Sequence, residues 1–345
     1  MGKETLWEKV TARIMAELAR KRPAPGVRFH SVRQLSERYG ISAITSRRVL
    51  DELAARGIIE KIPRKGCFLR SVSASKRLKC VLFKALSELE LSSPVFPALF
   101  GGIAREAGRC GLPLDWVSAG YLSRKPDRDD LVLLVYEPAW QDPALQQRVR
   151  RLAVPCACCH TAEPYEGIST VRADLALGAY RLMEHLLRKG HKRIAMISGD
   201  IKTRWFAPRF DGYYRALKEH GLGLDLELVV QTGGSDAKED ARAIRKLLAL
   251  RVQPTAVFCA NEFRALHVLD YCRRTGVKVP GDLAVACFDN TYEGTVCKPP
   301  LTTVDSFWER QGVEAVRLLV ELAGTAERAP RDVLIEPELV VRQST

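Results

Sequence analysis

Cationic side chains are concentrated near the start of the chain. Arg47 and Arg48 stand together in SAITSRRVL, and Arg64 and Lys65 stand together in PRKGCF. Residues 1–77 hold 18 Lys and Arg against 7 Asp and Glu, whereas the rest of the chain holds 36 against 34. Guanidinium and ammonium groups bind phosphates and base edges. This charge distribution therefore predicts a nucleic-acid-binding region in the first seventy residues.

Two short helices and a hairpin must position these cations. Ser31 and Ser42 can each cap a helix, and Gly40 suits the left-handed residue that ends the first helix. IIEKI then turns back at residues 63–66 into CFLR, which predicts a two-stranded hairpin with a basic tip. The apolar periodicity of the second helix places Ser46, Val49, Leu50 and Leu53 inside and Ala43, Ile44, Arg47 and Arg48 outside.

This part of the chain resembles the GntR-type winged helix. The pattern of that family is a PG pair, SVRxLA, a VSxxT helix start, DELxxxGxI and a basic-Gly wing. Here the same order is PG, SVRQLS, ISAIT, DELAARGII and RKG. The resemblance implies a DNA-binding surface made of Arg33, Ser42, Ala43, Ile44, Thr45, Arg47, Arg48, Arg64, Lys65 and Gly66.

The resemblance also implies distinct roles on that surface. Arg33, Ser42 and Thr45 would hold phosphates, Arg47 would reach base edges, and Lys65 would enter the minor groove.

Three residues depart from the family pattern. Ala43 and Ile44 replace residues that are often a base-reading arginine and a polar side chain, which favours apolar contact with thymine methyl groups. Ser46 stands where the family usually buries an aliphatic residue.

Apolar runs alternate with amphipathic helices from residue 78 onward. LVLLVY, RIAMIS, AVFCA and LAVACF are examples of these runs. The alternation predicts doubly wound parallel sheets, whose ligands bind at the carboxyl ends of the strands. SVSASKR, residues 71–77, is small, polar and basic, which predicts a flexible linker between residues 1–70 and 78–345.

The body resembles the effector-binding part of LacI/GalR regulators, which is built like a periplasmic sugar-binding protein. The motifs follow in the expected order: SPVFPALFGGI, DLALGAYRLMEHLLRKGHKRIAMISG, RFDGYYRALKEHG, PTAVFCANEFRA, VPGDLAVACFDN, KPPLTTV and PELVVRQST. The resemblance implies two subdomains with a ligand cleft between them, the first at about 78–171 and 304–330 and the second at about 172–303 and 331–345. It places the chain crossings near Arg172, near Thr303 and at about 329–333.

The same resemblance implies effector contacts at strand ends. Asp289 would accept hydrogen bonds from two adjacent sugar hydroxyls, and Arg209 would be the matching cation and donor. Asn261 ends the AVFCA strand, with Glu262 in place of the usual Asp.

Aromatic rings and a further carboxylate complete the candidate effector site. Trp205 or Phe206 would stack against a sugar ring. Asp174 would support the pocket, although its usual Asn neighbour is here Leu175. A role as helix caps or turn carboxylates stays open for Asp174 and Asp289, and the effector role is favoured for Asp289. The candidates are Ser92, Phe96, Asp174, Trp205, Phe206, Arg209, Asn261 and Asp289.

Residue types that bind metals occur together only in CACCH, residues 156–160. Thiols alternating along a strand point to opposite faces, so the sequence predicts no metal site there. With no Walker loop and no GxGxxG, no cofactor is expected. The absence of a signal-peptide core, of a membrane-length apolar run and of paired cysteine spacing predicts a cytoplasmic protein with reduced thiols.

Together these features predict a small winged helix-turn-helix domain (α+β) followed by an α/β body of two doubly wound parallel-sheet subdomains. The predicted function is a cytoplasmic, homodimeric transcriptional regulator, a repressor rather than an enzyme. Its partners would be double-stranded operator DNA and a mono- or disaccharide effector. Two alternatives stay open: a pyridoxal-phosphate-dependent aminotransferase-like body on a GntR head, and a sugar-binding protein that does not bind DNA.

Overall fold

A computed structural model describes residues 5–21, 27–55, 58–62, 65–69, 76–83, 95–135, 143–233, 236–325 and 329–345. Arg64, Ser92 and linker residues 71–75, which carry sequence predictions, lie outside the described residues.

The described part of the head folds as helices followed by a hairpin. These elements are α1 (Leu6–Lys21), α2 (Val32–Tyr39), α3 (Ala43–Ala55), β1 (Ile59–Ile62) and β2 (Gly66–Leu69). The two strands are antiparallel, with Ile59 opposite Leu69 and Ile62 opposite Gly66. The winged helix-turn-helix fold is therefore confirmed.

Local hydrogen bonds explain where the head helices begin and end. Ser31 Oγ accepts from Gln34 N at 3.3 Å and Gln34 Oε1 accepts from Ser31 N at 2.8 Å, a reciprocal cap at the start of α2. Gly40 ends α2 with φ 63°, a left-handed conformation that glycine adopts without strain. Ser42 Oγ caps α3 by accepting from Thr45 N at 3.1 Å.

Ser46 is a polar residue in the otherwise apolar core of the head. Its hydroxyl is fully buried and lies 2.9 Å from Ser36 Oγ, so the two serines satisfy each other between α2 and α3. Ser46, which stands where the family usually buries an aliphatic residue, thus has a polar partner on α2. The surrounding core is Val10, Ile14, Phe29, Leu35, Ile41, Val49, Leu50, Leu53, Ile58, Ile59 and Leu69.

The first sheet of the body consists of parallel strands. In spatial order they are β13 (Asp332–Ile335), β7 (Ser169–Ala173), β6 (Cys156–Cys159), β5 (Asp130–Val135), β3 (Arg77–Leu82) and β4 (Leu114–Ser118). Helices α4 (Val95–Arg109) and α11 (Trp308–Gly324) pack on one face, and α5 (Pro143–Arg150) packs on the other. A 3-10 helix, Ala119–Ser123, follows β4.

The second sheet is parallel apart from one edge strand. In spatial order its strands are β14 (Glu338–Val340), β12 (Thr302–Asp305), β11 (Ala284–Phe288), β10 (Ala256–Cys259), β8 (Ile194–Ser198) and β9 (Val229–Gln231), and β14 runs antiparallel to β12. Helices α6 (Leu175–Arg188) and α7 (Ala207–Glu219) cover one face, and α8 (Ala237–Leu248) and α9 (Glu262–Thr275) cover the other. A short helix α10 (Tyr292–Val296) follows β11, and a 3-10 helix (Leu226–Leu228) precedes β9.

Glycines allow the helices of each subdomain to approach closely. A Cβ at Gly102 would overlap the carbonyl oxygen of Glu309, and a Cβ at Gly312 would overlap that of Leu99. Helices α4 and α11 therefore pack with their backbones in contact at these positions. None of the helices in the described ranges is both long and apolar enough to cross a membrane.

The body begins one residue earlier than predicted. Arg77, assigned to the linker from its basic character, opens β3 and donates its backbone N–H to Asp129 O at 2.9 Å. The charged side chain did not prevent strand pairing, because pairing uses the backbone.

The predicted subdomain boundaries need correction at the crossings. The first crossing lies at Asp174, between β7 and α6, and the second lies at residues 306–307, between β12 and α11. The prediction that the last segment, from 331 onward, belongs wholly to the second subdomain is wrong, because β13 pairs with β7 in the first sheet. Pro337 separates β13 from β14, so the third crossing falls at residues 336–337.

Candidate DNA-binding face and effector cleft

The outer face of α3 is exposed, as its periodicity predicts. Ala43, Ile44, Arg47 and Arg48 all lie on this face, and Ile44 is 84% exposed. A branched aliphatic side chain beside arginines forms a small apolar area within a cationic surface. Such a surface matches the edge of a major groove, where thymine methyls lie among acceptor groups.

Ser42 and Thr45 form a polar pair at the N-terminus of α3. Their hydroxyl oxygens lie 2.9 Å apart. The first-turn amides carry the positive end of the helix dipole, so this terminus can bind an anionic oxygen such as that of a phosphate.

Two arginines of the predicted surface already have partners. Arg33 Nε donates to Glu37 Oε1 at 2.9 Å, but both side chains are exposed, so the pair is weak and Arg33 can exchange its partner. The guanidinium of Arg48 lies 4.6 Å from the centre of the Trp7 ring on α1. Arg48 is therefore oriented by this cation–π contact, whereas Arg47 projects from the exposed face.

The wing places a second group of cations beside the helices. Lys65 is exposed, and Gly66 has φ 111°, a left-handed value that permits the tight turn. Arg28 Nε lies 3.4 Å from the position that a Cβ on Gly66 would occupy. Sequence reasoning missed Arg28, since its place beside the wing depends on Phe29 N donating to Cys67 O at 2.7 Å, a pairing without a local sequence signal.

Arg209 and Asp289 meet at the carboxyl edge of the second sheet. Arg209, near the start of α7, places Nη2 3.5 Å from Oδ1 of Asp289, which follows β11, and both side chains are buried. Burial lowers the pKa of Arg209, although Asp289 acts in the opposite direction. Burial also raises the pKa of Asp289, although the charge of Arg209 acts against that rise.

The Arg209 guanidinium is stacked but incompletely hydrogen-bonded. It lies 4.7 Å from the centre of the Phe288 ring and 5.8 Å from that of Phe206. Its Nε is buried and has no hydrogen-bond partner among the described residues. Since buried donors are almost always satisfied, this atom indicates a place for an acceptor on a ligand.

Phe206 and Asn261 line a cavity of about 450 Å³ at the ends of β8, β9 and β10. Gly199 lies under the Phe206 ring, where a Cβ would overlap the ring. Asn261 Oδ1 accepts from Arg264 N at 3.2 Å and so caps α9. Arg264, which also lines this cavity, donates to Thr232 Oγ1 at 3.0 Å.

Asp289 lines a second cavity of about 580 Å³ on the side of α11. Asn290 and Asp305 lie beside it and are joined by a hydrogen bond of 2.8 Å from Asn290 Nδ2 to Asp305 Oδ2. Arg342 Nη2 donates to Asn290 Oδ1 at 2.6 Å. These contacts fix the turn after β11, in which Asp289 and Asn290 both have positive φ.

Asp174 lies at the first crossing and lines neither of these cavities. Its Oδ1 accepts from Leu177 N at 2.9 Å, so its carboxylate caps α6. The capping role that sequence reasoning left open is the one observed.

Phe96 belongs to the wall of the first subdomain. It is 2% exposed, and its ring centre lies 5.5 Å from that of Phe100 and 4.7 Å from that of His160. His160 in turn contacts Trp205 at 4.6 Å and Trp308 at 5.1 Å. Sequence reasoning did not assign His160 or Trp308 to the cleft, because their contact joins residues that lie far apart in the chain.

Three thiols of CACCH point to different cores. Cys159 packs with the α4 and α11 side of the first sheet, whereas Cys156 and Cys158 pack with the α5 side. The described residues hold no cluster of His, Cys, Asp or Glu suited to a metal ion.

Comparisons with known proteins agree with this architecture. A family model described as bacterial regulatory proteins of the gntR family matches residues 6–69, and a periplasmic binding protein-like domain model matches residues 183–345. The transcriptional regulator DegA of Bacillus subtilis is 30% identical over 273 residues, which cover 76% of this chain and 80% of that protein. The repressor PurR of Histophilus somni is 33% identical over 179 residues, covering 52% of this chain and 54% of PurR, so the match spans about half of that relative.

Solved structures share the fold along the chain. A complex of the transcriptional regulator CelR with cellobiose superposes with a TM-score of 0.68 at 23% identity, covering 99% of this chain and all of that one. A LacI family regulator from Mycobacterium smegmatis gives a TM-score of 0.63 at 28% identity, covering 78% of this chain and 98% of that one. With its GntR-type winged helix-turn-helix head and its periplasmic-binding-protein-like body, the chain therefore belongs to the LacI/GalR-type transcriptional regulators.

Proposed function

We propose that this regulator is a repressor that binds operator DNA as a homodimer and that a sugar in the cleft of the body controls its binding. The observation that carries the effector part is the buried pair of Arg209 and Asp289. Arg209 Nε lacks a partner among the described residues, and Asp289 is held in a left-handed turn at the strand edge.

The chemistry of this pair supports a polyhydroxylated ligand. Each sugar hydroxyl can donate to a carboxylate and accept from a guanidinium, so one ring can satisfy both Asp289 and Arg209. The Phe206 ring, whose centre lies 5.8 Å from the Arg209 guanidinium, and the adjacent Trp205 ring provide apolar surface for the face of a sugar ring. CelR, which shares this fold, has been solved with cellobiose, and this makes sugars the first class to test.

The head supports the DNA-binding part. Ser42 and Thr45 would hold a phosphate, Arg47 and Ile44 would contact base edges, and Lys65 with Arg28 would follow the backbone or minor groove beside the wing. Two such heads in a symmetric dimer would read an operator with two related half-sites.

Control would operate by a population shift. A ligand that binds the closed cleft more tightly than the open one favours the closed state and so changes the spacing of the two heads. The coupling is reciprocal, so operator DNA must change the affinity for the sugar by the same factor.

Sugar screening followed by DNA binding tests this proposal. Thermal shifts are measured over mono- and disaccharides, and operator fragments selected from random duplex DNA are titrated with and without each sugar that raises the melting temperature. A sugar that changes operator affinity supports the proposal. If the protein binds duplex DNA but no tested sugar alters that binding, the proposed sugar effector is wrong. If no duplex can be selected, the proposed role as a repressor is wrong.

A further inference from the structure

His160 connects the two subdomains although it belongs to the first. It directly follows β6, has φ 55° and is 6% exposed. Its ring packs against Phe96 and Trp308 of its own subdomain and against Trp205, which lies between β8 and α7 of the second. The imidazole is therefore enclosed by three aromatic rings, one of which comes from across the cleft.

An ion pair and a cation–π contact beside His160 also join the two subdomains. Arg204, adjacent to Trp205, has Nε 3.7 Å from Glu163 Oε2 and its guanidinium 5.2 Å from the centre of the Tyr165 ring. Glu163 and Tyr165 follow His160 in the first subdomain. Residues 204–205 of the second subdomain thus contact residues 160–165 of the first.

The enclosed imidazole lies next to the candidate effector contacts. Trp205 touches it directly, and the positive charge of Arg209 acts on it. Burial is the main cause that lowers the pKa of His160 to about 3, and Arg209 adds to this effect. The ring is consequently neutral at physiological pH and packs as a flat polar ring between aromatic surfaces.

We propose that His160 occupies the effector position in this closed cleft and that a sugar of one ring binds by displacing the imidazole from between Trp205 and Trp308. This inference rests on the proposed function and specifies the ligand of the same site. A pyranose or furanose has a flat apolar face for Trp205 and a rim of hydroxyls for Arg209 and Asp289. A second ring would have to extend past Trp205 and Trp308, whose rings contact the imidazole.

Displacement makes His160 a determinant of effector affinity. When a side chain occupies the site for most of the time, the apparent dissociation constant rises in inverse proportion to the vacant fraction. Removing a side chain that fills the site nine-tenths of the time would therefore tighten binding about tenfold.

The test compares the wild type with His160→Ala by isothermal titration calorimetry. The probes are D-ribose, D-glucose, D-galactose and the disaccharide cellobiose, and the control is His220→Ala, whose imidazole bonds to Glu184 on the surface. His160→Ala should bind a monosaccharide about tenfold more tightly than the wild type. Free imidazole should compete with that sugar in the variant and have no such effect in His220→Ala.

Glu163→Gln provides a second variant that leaves the aromatic cluster intact. Loss of its pairing with Arg204 should weaken the packing of Trp205 on the imidazole, so that His160 leaves the site vacant more often and monosaccharide binding tightens about two- to threefold, as expected for a partly exposed ion pair. Unchanged or weaker sugar binding in both variants would overturn the inference while leaving a sugar effector in place. If cellobiose binds the wild type as tightly as any monosaccharide, the proposal that the effector is a sugar of one ring is wrong. If the wild type binds no sugar, the proposed sugar effector is wrong as well.

Discussion

Arg209 Nη2 lies 3.5 Å from Asp289 Oδ1 inside the cleft, a distance at the outer limit of hydrogen bonding. The two charges compensate each other in a place with little water. Each nevertheless keeps hydrogen-bonding capacity for a third group. The pair therefore keeps donors and acceptors for the proposed ligand rather than being closed on itself.

Replacing either residue should abolish the effector response while leaving operator binding intact. Asp289→Asn and Arg209→Gln keep much of the side-chain shape but remove the charges, and each should weaken effector binding by about 2–3 kcal/mol, or roughly 30- to 150-fold. Titration of the purified variants with the effector found by thermal shift, beside operator titrations, checks this expectation.

Arg215→Gln is the matched control, because Arg215 lies on the same helix, is exposed and pairs with Glu219 at i,i+4. It should change effector affinity by less than about twofold. Loss of operator binding by Asp289→Asn in a normally folded protein would contradict the assignment to the cleft.

Arg47 and Arg48 are adjacent in sequence but should contribute differently to DNA binding. Arg47 projects from α3, whereas Arg48 stacks on Trp7. Arg47→Ala should weaken binding to the selected operator by about 1–3 kcal/mol and relax specificity at one base pair. Arg48→Ala should have a smaller effect on specificity and should lower the melting temperature of the head through loss of the cation–π contact.

Fluorescence anisotropy with operator and random duplexes separates these effects. Arg47→Ala should lose more affinity for operator than for random DNA. An equal loss on both duplexes would make Arg47 a phosphate contact only.

Ile44 allows a test that changes only the DNA. Replacing individual thymines of the selected operator by deoxyuridine removes one methyl group each. At a thymine contacted by Ile44, this change should weaken wild-type binding by about 0.5–1 kcal/mol and leave Ile44→Ala unaffected. Equal losses for both proteins at every thymine would place Ile44 away from the methyl groups.

Local signals predicted much of the fold. Capping residues, the αL glycine and the apolar stripe of α3 are encoded within a few residues of each other, so Ser31, Gly40 and Ser42 behave as their types predict. The continuous apolar runs of β5, β8, β10 and β11 are buried central strands, which composition alone can reveal.

Long-range packing accounts for what sequence reasoning missed. The strand β4 is only partly buried at a sheet edge, and β7 mixes Ser, Thr and Arg with Val, so neither has a strong apolar pattern. The sequence-based prediction places residues 331–335 in the second subdomain, but they contribute to β13 in the first sheet. Which sheet a strand joins depends on which sheet edge lies beside it in the folded protein, and the sequence of the strand does not show this. His160 was singled out as a metal-ligand type, but its contact with Trp205 arises only when the subdomains close.

Close helix packing predicts opposite effects for two adjacent glycines. Gly101 has open space where a Cβ would lie, whereas a Cβ at Gly102 would overlap the backbone of α11. Gly101→Ala should stabilise α4 by about 0.5–1 kcal/mol, because alanine is the better helix former. Gly102→Ala should destabilise the protein by at least about 2 kcal/mol, because the two helices must move apart. Chemical denaturation of the two variants gives the comparison, and similar values for both would refute the close approach of α4 and α11.

Glu262 should make the stability of the body depend on pH. Its carboxylate accepts from Thr291 N at 3.1 Å and from Gly294 N at 2.9 Å, yet burial raises its pKa from 4.5 to about 7. The folded state therefore binds this proton more tightly than the unfolded state, so the contribution of Glu262 to stability falls as pH rises from about 4.5 to 7. The full change would be at most about 3 kcal/mol.

His160 has the opposite sign, because its lowered pKa means that the folded state binds a proton less tightly than the unfolded state. Its contribution to stability therefore rises between about pH 3 and pH 6.5, and the pH profile of the wild type contains both effects. Subtracting the unfolding free energy of Glu262→Gln from that of the wild type isolates the first effect, because the variant keeps His160 but lacks the titrating carboxyl group. Between about pH 5 and pH 7 this difference should fall steadily. A difference that stays constant across this range would show that Glu262 does not titrate there and that its hydrogen bonds to the turn hold the carboxylate charged throughout.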